Sequence, residues 1–157
     1  MPTNLLRKAD TESPTVVAAT SDRATRGTRI AVLTAGKVRL RLALADTATS
    51  DRIWQALPLH ATAQTWGKSI HFEIPVESGR DRTARINGAV GEIYFWTEDD
   101  RILIPFGPTA ISRSGECRLP SPANVWALAL DDVRVLAAVR PGVKVSLVAE
   151  PARVTPA

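Results

Sequence analysis

Two residues with the means for chemistry stand two apart in a stretch that alternates apolar and polar side chains, Trp66-Gly-Lys-Ser-Ile-His-Phe-Glu-Ile-Pro-Val76. They are His71 and Glu73. Side chains two apart in a strand project from the same face, so the pair is adjacent there, opposite Ile70, Phe72, Ile74 and Val76. A histidine oriented by a carboxylate can serve as a general base. The same pair on the outer face of a sheet is also an ordinary exposed contact of small energetic value, and the sequence leaves both readings open. A second strand that ends in proline, Ile102-Leu-Ile-Pro-Phe-Gly-Pro-Thr109, supplies a matching end. The candidate site is a groove at these strand ends formed by Trp66, His71, Glu73, Phe106 and Thr109, with Asn124 at its margin. Any catalytic residue comes from His71 and Glu73.

Other constellations are weaker. His60, Cys117 and the scattered acids lack metal-ligand spacing, so no metal and no cofactor are expected. Cys117 stands between Glu116 and Arg118. An adjacent arginine could lower its pKa, yet no histidine is near in the chain to act as its base, and it is not expected to be a nucleophile. Glycine-rich phosphate loops and the Gly-x-Ser-x-Gly elbow are absent, which removes the usual nucleotide and hydrolase readings. Of the four tryptophans, Trp54 fits the apolar stripe of a helix, while Trp66, Trp96 and Trp126 lie at or near strand ends, suited to plug a barrel or to line a pocket.

The chain that must position these groups has 157 residues, 45% of them hydrophobic and 23% charged, as expected of one globular domain. No apolar run reaches membrane-spanning length and nothing resembles a secretory signal. One cysteine forms no internal disulfide, so the cytoplasm is the default compartment. The net charge of +4 is uneven: residues 1–29 hold five basic and three acidic groups, and the remainder is nearly balanced. The cluster Arg80, Arg82 and Arg85 is interrupted by Asp81 and has no interleaved aromatics. It reads as a solvated loop, and neither nucleic acid nor membrane is expected as a partner.

Residues 1–28 read as a disordered tail, residues 29–150 as the domain, and 151–157 as a C-terminal tail. Ile30–Thr34 and Val38–Ala45 flank the turn Ala35-Gly36-Lys37 and predict a hairpin with Val38, Leu40, Leu42 and Leu44 on one face. Thr49 or Ser50 can cap a short helix bearing Ile53, Trp54 and Leu57, and Pro58 ends it. Leu59–Thr65 predicts a third strand, and the stretch from Trp66 to Val76 a fourth. Gly91–Trp96 and Arg101–Phe106 form a second hairpin. Gly107–Ala123 reads as a long irregular connection, of a length often associated with function. Asn124–Leu130 is a seventh strand, Asp131-Asp132 caps a short helix, and Val143–Ala149 closes the count. The pattern predicts a mainly β fold, a closed eight-stranded barrel with two short helices over its ends.

Several of these residues form a set. Trp66-Gly67 with Ile70-x-Phe72-x-Ile74-Pro75, then Val90-Gly-Glu-Ile93, Phe106-Gly-Pro-Thr109 and Ser121-Pro-x-Asn-Val125, resembles the small prokaryotic cyclophilin-like domain, a family of unknown function, over residues 29–150. The resemblance implies a minimal cyclophilin barrel. In true cyclophilins the site lies on the outer face, where an arginine polarises the peptide amide beside a hydrophobic proline pocket. Here no Phe-His-Arg triplet and no Phe-Met-x-Gln-Gly-Gly-Asp segment occurs, and Lys68 and His71 occupy the comparable strand without a guanidinium. Lysine does not replace that planar fork. The expectation is therefore a non-catalytic binding module for a peptide or small polar ligand in the outer groove. An enzyme, prolyl isomerase-like or using His71 and Glu73, and a structural barrel that forms a homo-oligomer stay open as alternatives.

Overall fold

Strand alternation decides which side chains are buried, and here the two faces of one sheet pack against two different cores. The computed structural model describes residues 29–151, and the expected tail over 1–28 and the C-terminal tail beyond 151 lie outside the described residues. The first hairpin forms as its turn signal predicts, β1 (Ile30–Ala35) and β2 (Val38–Leu44) meeting around Gly36. Leu40 and Leu42 are fully buried, and Val38 and Leu44 pack against the same core.

Helix α1 (Ala48–Ala56) follows, with Thr47 rather than Thr49 or Ser50 as its cap. The reason is reach: a capping oxygen must meet the third amide of the helix, and the Thr47 hydroxyl accepts from the Ser50 N–H at 3.0 Å. The Ser50 hydroxyl instead donates to the Trp126 carbonyl at 2.6 Å, and the Thr49 hydroxyl lies 2.7 Å from that of Ser78. The helix stops at Leu57, whose ψ of 146° is the extended conformation required before Pro58. Ile53 is buried, whereas Trp54, one residue and about 100° around the helix, is half-buried beneath the Arg29 guanidinium, 5.8 Å from its ring centre.

The remaining elements are β3 (Leu59–Thr62), β4 (Gln64–Thr65), β5 (Ser69–Glu73), β6 (Arg85–Asn87), β7 (Glu92–Trp96), β8 (Arg101–Pro105), β9 (Arg118–Ala129), a 3-10 helix (Val133–Ala138) capped by Asp132, and β10 (Lys144–Ala149). The fold is mainly β with two short helices. Its hydrogen-bonded path runs β3-β10-β1-β2-β9-β7-β8-β5-β4, with β6 paired to β9 off that path. No ladder joins β3 to β4, so the hydrogen-bonded path is open, and its two ends are consecutive pieces of chain separated by Ala63. Ten strands stand where eight were expected, for two physical reasons. The third strand divides at Ala63, whose backbone turns to Val143 and Gly142. The second half of the irregular connection extends β9 back to Arg118, where it gives β6 a partner.

The inner core takes Ile70, Phe72, Ile74, Ile102, Ile104 and Trp126, all at most 2% exposed, together with the inward faces of β1, β2 and β10. Each such side chain contributes about 1.5–3 kcal/mol through burial. The outer core is smaller. Tyr94 of β7, Leu103 of β8 and Leu119, Ala123 and Val125 of β9 form it. No helix among the described residues is long and apolar enough to cross a membrane.

Candidate functional site

Three adjacent strands, β5, β8 and β7, build the site by register. His71 lies opposite Leu103, which lies opposite Tyr94; one step along, Glu73 lies opposite Arg101, which lies opposite Trp96. Directly paired residues share a face, so these six side chains form a grid on the outside of the sheet. Tyr94 and Leu103 are covered by the outer core. The other four lie at its margin, where the cover ends.

A cleft of about 320 Å³ opens at this margin. Its polar row is His71, Arg101 and Asp99, and its walls are Trp66, Trp96, Leu103 and Pro120. The Asp99 carboxylate, from the turn before β8, accepts a short hydrogen bond from Arg101 Nε. Arg101 Nη1 lies 3.2 Å from His71 Nδ1. A guanidinium nitrogen can only donate, so Nδ1 is the acceptor and the ring proton sits on Nε2. Burial, followed by the charge of Arg101, lowers the His71 pKa below its usual 6.5 despite the opposing field of Asp99. The ring is therefore neutral at physiological pH and presents an N–H donor. The Trp96 indole nitrogen is sealed from solvent without an acceptor among the described residues, so Trp96 serves the cleft as an apolar wall.

Of the six residues picked from the sequence, two are brought together here, Trp66 and His71. Glu73 is exposed beside the cleft without forming part of its lining, and it makes no ion pair with His71; the histidine's charged partner is Arg101, diagonally across the strand pair. Phe106 packs against the inner core, and its amide donates to the Lys68 carbonyl at 2.8 Å. Thr109 is buried, its hydroxyl donating to the Arg118 carbonyl and touching Ser112 Oγ at 3.0 Å. Asn124 is not at the groove's margin. It lies opposite Phe95, on the other face from Val125, and is fully buried. Its amide donates to Thr49 Oγ1 at 3.0 Å and to the Gly79 carbonyl at 2.9 Å, and its oxygen accepts from the Asp81 N–H at 2.9 Å. It fastens the 77–84 loop to the start of α1.

The residues sequence reasoning missed are Arg101, Asp99, Leu103 and Pro120, and Trp96 was noted as a possible liner without being placed in the site. The hairpin turn Thr97–Asp100 was the available signal, because a symmetric count from it sets Trp96 opposite Arg101. The pairing of β5 with β8, which brings Arg101 to His71, has no local signature. Thus β5 itself supplies no guanidinium, and the neighbouring strand does.

The segment that frames the cleft is held by close backbone contact. Gly67 has φ +59°, and a Cβ there would collide with the Ala110 nitrogen and come within 2.6 Å of the Thr109 carbonyl carbon. The Lys68 N–H donates to the Pro108 carbonyl at 2.9 Å, and Ser69, fully buried on the face first read as polar, donates to the Trp66 carbonyl at 2.5 Å. Elsewhere, Cys117 is buried, and burial with the nearby Glu92 charge raises its thiol pKa, which disfavours the reactive thiolate. Trp126 is the plug and Trp66 and Trp96 are the liners, which resolves the two uses left open for the tryptophans. No group of three or more metal-binding side chains gathers among the described residues.

The cyclophilin-like family model matches residues 28–148. Among solved structures, the chain is similar to the hypothetical protein AF2241 from Archaeoglobus fulgidus, with a TM-score of 0.67 and 24% identity over 77% of this chain and 93% of that one. It is also similar to McbB in complex with tryptophan, with a TM-score of 0.58 and 10% identity over 80% of this chain and 46% of that one. At these identities the likenesses show the fold alone. No curated protein matches.

Proposed function

Starting from the fact that the chain belongs to the cyclophilin-like family, whose activity is uncharacterised, we propose that it is a binding module whose outer-face cleft holds a peptide or small polar ligand. The observation that carries this reading is the arrangement at β5 and β8: an arginine and a neutral histidine present N–H groups beside two tryptophans and a proline. A few convergent polar groups on an apolar wall fix a ligand's orientation while the wall supplies contact area. In this reading Leu59–Thr65 also closes the barrel, its two halves serving opposite edges of the sheet. Nucleic acid is outside the reading, since Arg80 and Arg85 lie near Glu98 and Glu92 at 3.7 and 3.4 Å and leave little unpaired positive charge in that loop.

The test is a nitrogen-15 NMR titration with a proline-containing tetrapeptide and a fragment panel that includes tryptophan, the molecule named with the McbB neighbour. Shifts concentrated at the Trp66 and Trp96 indole signals and at Arg101 Nε are expected. A flat response there overturns the proposal.

One observation favours a second reading, that of a prolyl isomerase. Arg101 places a guanidinium on the outer face beside an apolar wall, although Asp99 and His71 already occupy two of its nitrogens. An isomerisation assay separates the readings. Turnover that is lost in Arg101→Ala and kept in Glu73→Ala supports the enzyme, and the absence of turnover alongside binding supports the module.

A further inference from the structure

Within the residues that line the cleft, hydrogen-bond donors outnumber acceptors, the exposed Glu73 standing outside the lining. Arg101 offers five N–H donors, of which Asp99 takes that of Nε and His71 one on Nη1, leaving Nη2 and the second Nη1 hydrogen without a partner in the cleft. His71 presents its Nε2–H. The Trp96 indole N–H is sealed from solvent and adds no donor to this count. The single acceptor in the row, the Asp99 carboxylate, is already matched by Arg101 and is half exposed, at 51%. Donors in a partly buried site that are met by water alone are free to exchange that water for a ligand acceptor. The walls set the other half of the specification. Trp66, Trp96, Leu103 and Pro120 enclose about 320 Å³, room for one ring system rather than a long chain.

Resting on the reading of the cleft as a binding site, we propose that its ligand is a small aromatic carboxylate, the carboxylate bridging Arg101 and the Nε2–H of His71 and the ring lying against Trp66 and Trp96. A carboxylate carries two oxygens and about four acceptor positions, which suits a guanidinium and a neighbouring N–H together. An amide of the same shape brings one acceptor oxygen and an NH2 group that would face the donors of the site. A cationic ligand would meet the Arg101 guanidinium inside the lining, where the one carboxylate, Asp99, is paired with it; Glu73 lies outside.

The experiment uses the full chain and two commercial isosteres, phenylacetate and phenylacetamide, titrated by NMR at pH 7. Phenylacetate is expected to bind about tenfold more tightly, the size of one charge-assisted hydrogen bond over a neutral one, with shifts at Arg101 Nε and at both cleft indoles. Arg101→Met is expected to abolish the preference, and the wild-type comparison stands by itself if that variant does not fold. Equal or tighter binding of the amide overturns the proposal and leaves the cleft as a binding site. So does binding of the proline peptide at the cleft with neither isostere bound. No shift at the cleft with any probe overturns both the proposal and the binding reading beneath it.

Discussion

At the scale of single residues, the protonation of His71 is the property most open to measurement. Its pKa is lowered in the folded chain by burial and by Arg101, so the unfolded chain binds that proton more readily. The group leaves stability unchanged while it is neutral in both states, above the ordinary value of 6.5. As pH falls through 6.5 the unfolded state gains the proton first and stability declines, levelling off below the folded pKa. Urea denaturation at pH 7.5 and pH 5.5 should show this decline, and His71→Gln should make it shallower. A histidine variant with an unchanged slope would place the pH dependence elsewhere. Asn124 shows what the sequence could not convey at this scale. A polar residue in a strand reads as exposed, yet here three hydrogen bonds at 2.9–3.0 Å satisfy it within a fully buried position. Only the loop and helix it joins explain its burial, and they are distant in the chain.

At the scale of elements, β5 has two faces with opposite consequences. Phe72 belongs to the inner core at 1% exposed, and Glu73, its neighbour, is exposed and makes no ion pair among the described residues. Phe72→Ala should cost about 3–5 kcal/mol through lost transfer energy and the cavity left behind, whereas Glu73→Ala should lie within about 0.5 kcal/mol. Chemical denaturation of the two variants checks both, and comparable losses would mean that the faces were misassigned. That alternation was legible in the residues: Ile70, Phe72, Ile74 and Val76 are buried as the period predicts. The hairpin of β7 and β8 was legible too, from its turn. The long connection was not. Its second half carries prolines at 120 and 122, which read as irregular, yet Arg118–Ala129 is one strand because β6 and β7 supply its partners. Strand pairing between remote segments is decided by tertiary contact rather than by local preference. For the same reason Arg101 could be read as the start of a strand but not as the neighbour of His71.

At the scale of the whole molecule, the ladder joins the two ends of the described chain. β1 pairs with β10 along five residues, and β10 in turn pairs with β3. Neither end can leave the sheet without exposing Leu33 and Leu147, both 1% exposed, so partial unfolding from a terminus carries a large cost. The residues from 29 to 151 should therefore unfold as one cooperative unit. Tryptophan fluorescence, which reports Trp126 in the inner core together with Trp54 on the helix and Trp66 and Trp96 at the cleft, and far-ultraviolet circular dichroism, which reports the strands, should give coincident urea transitions. Separated midpoints would show that the outer core melts by itself.

The contact between Gly67 and the Thr109–Ala110 backbone also bears on how such a fold can change. The space a Cβ at 67 would need is filled by the backbone of the Thr109–Ala110 strap, so the glycine and the strap's path constrain each other. Two paths of change differ in what they meet: rerouting the strap removes the collision but leaves the positive φ of Gly67 to disfavour a side chain, and replacing the glycine meets both obstacles. Because Trp66 is the next residue, either path also reshapes the cleft wall. The shape of the cleft at Trp66 is thus set by the path of a backbone segment distant in the chain as well as by the side chains that line it.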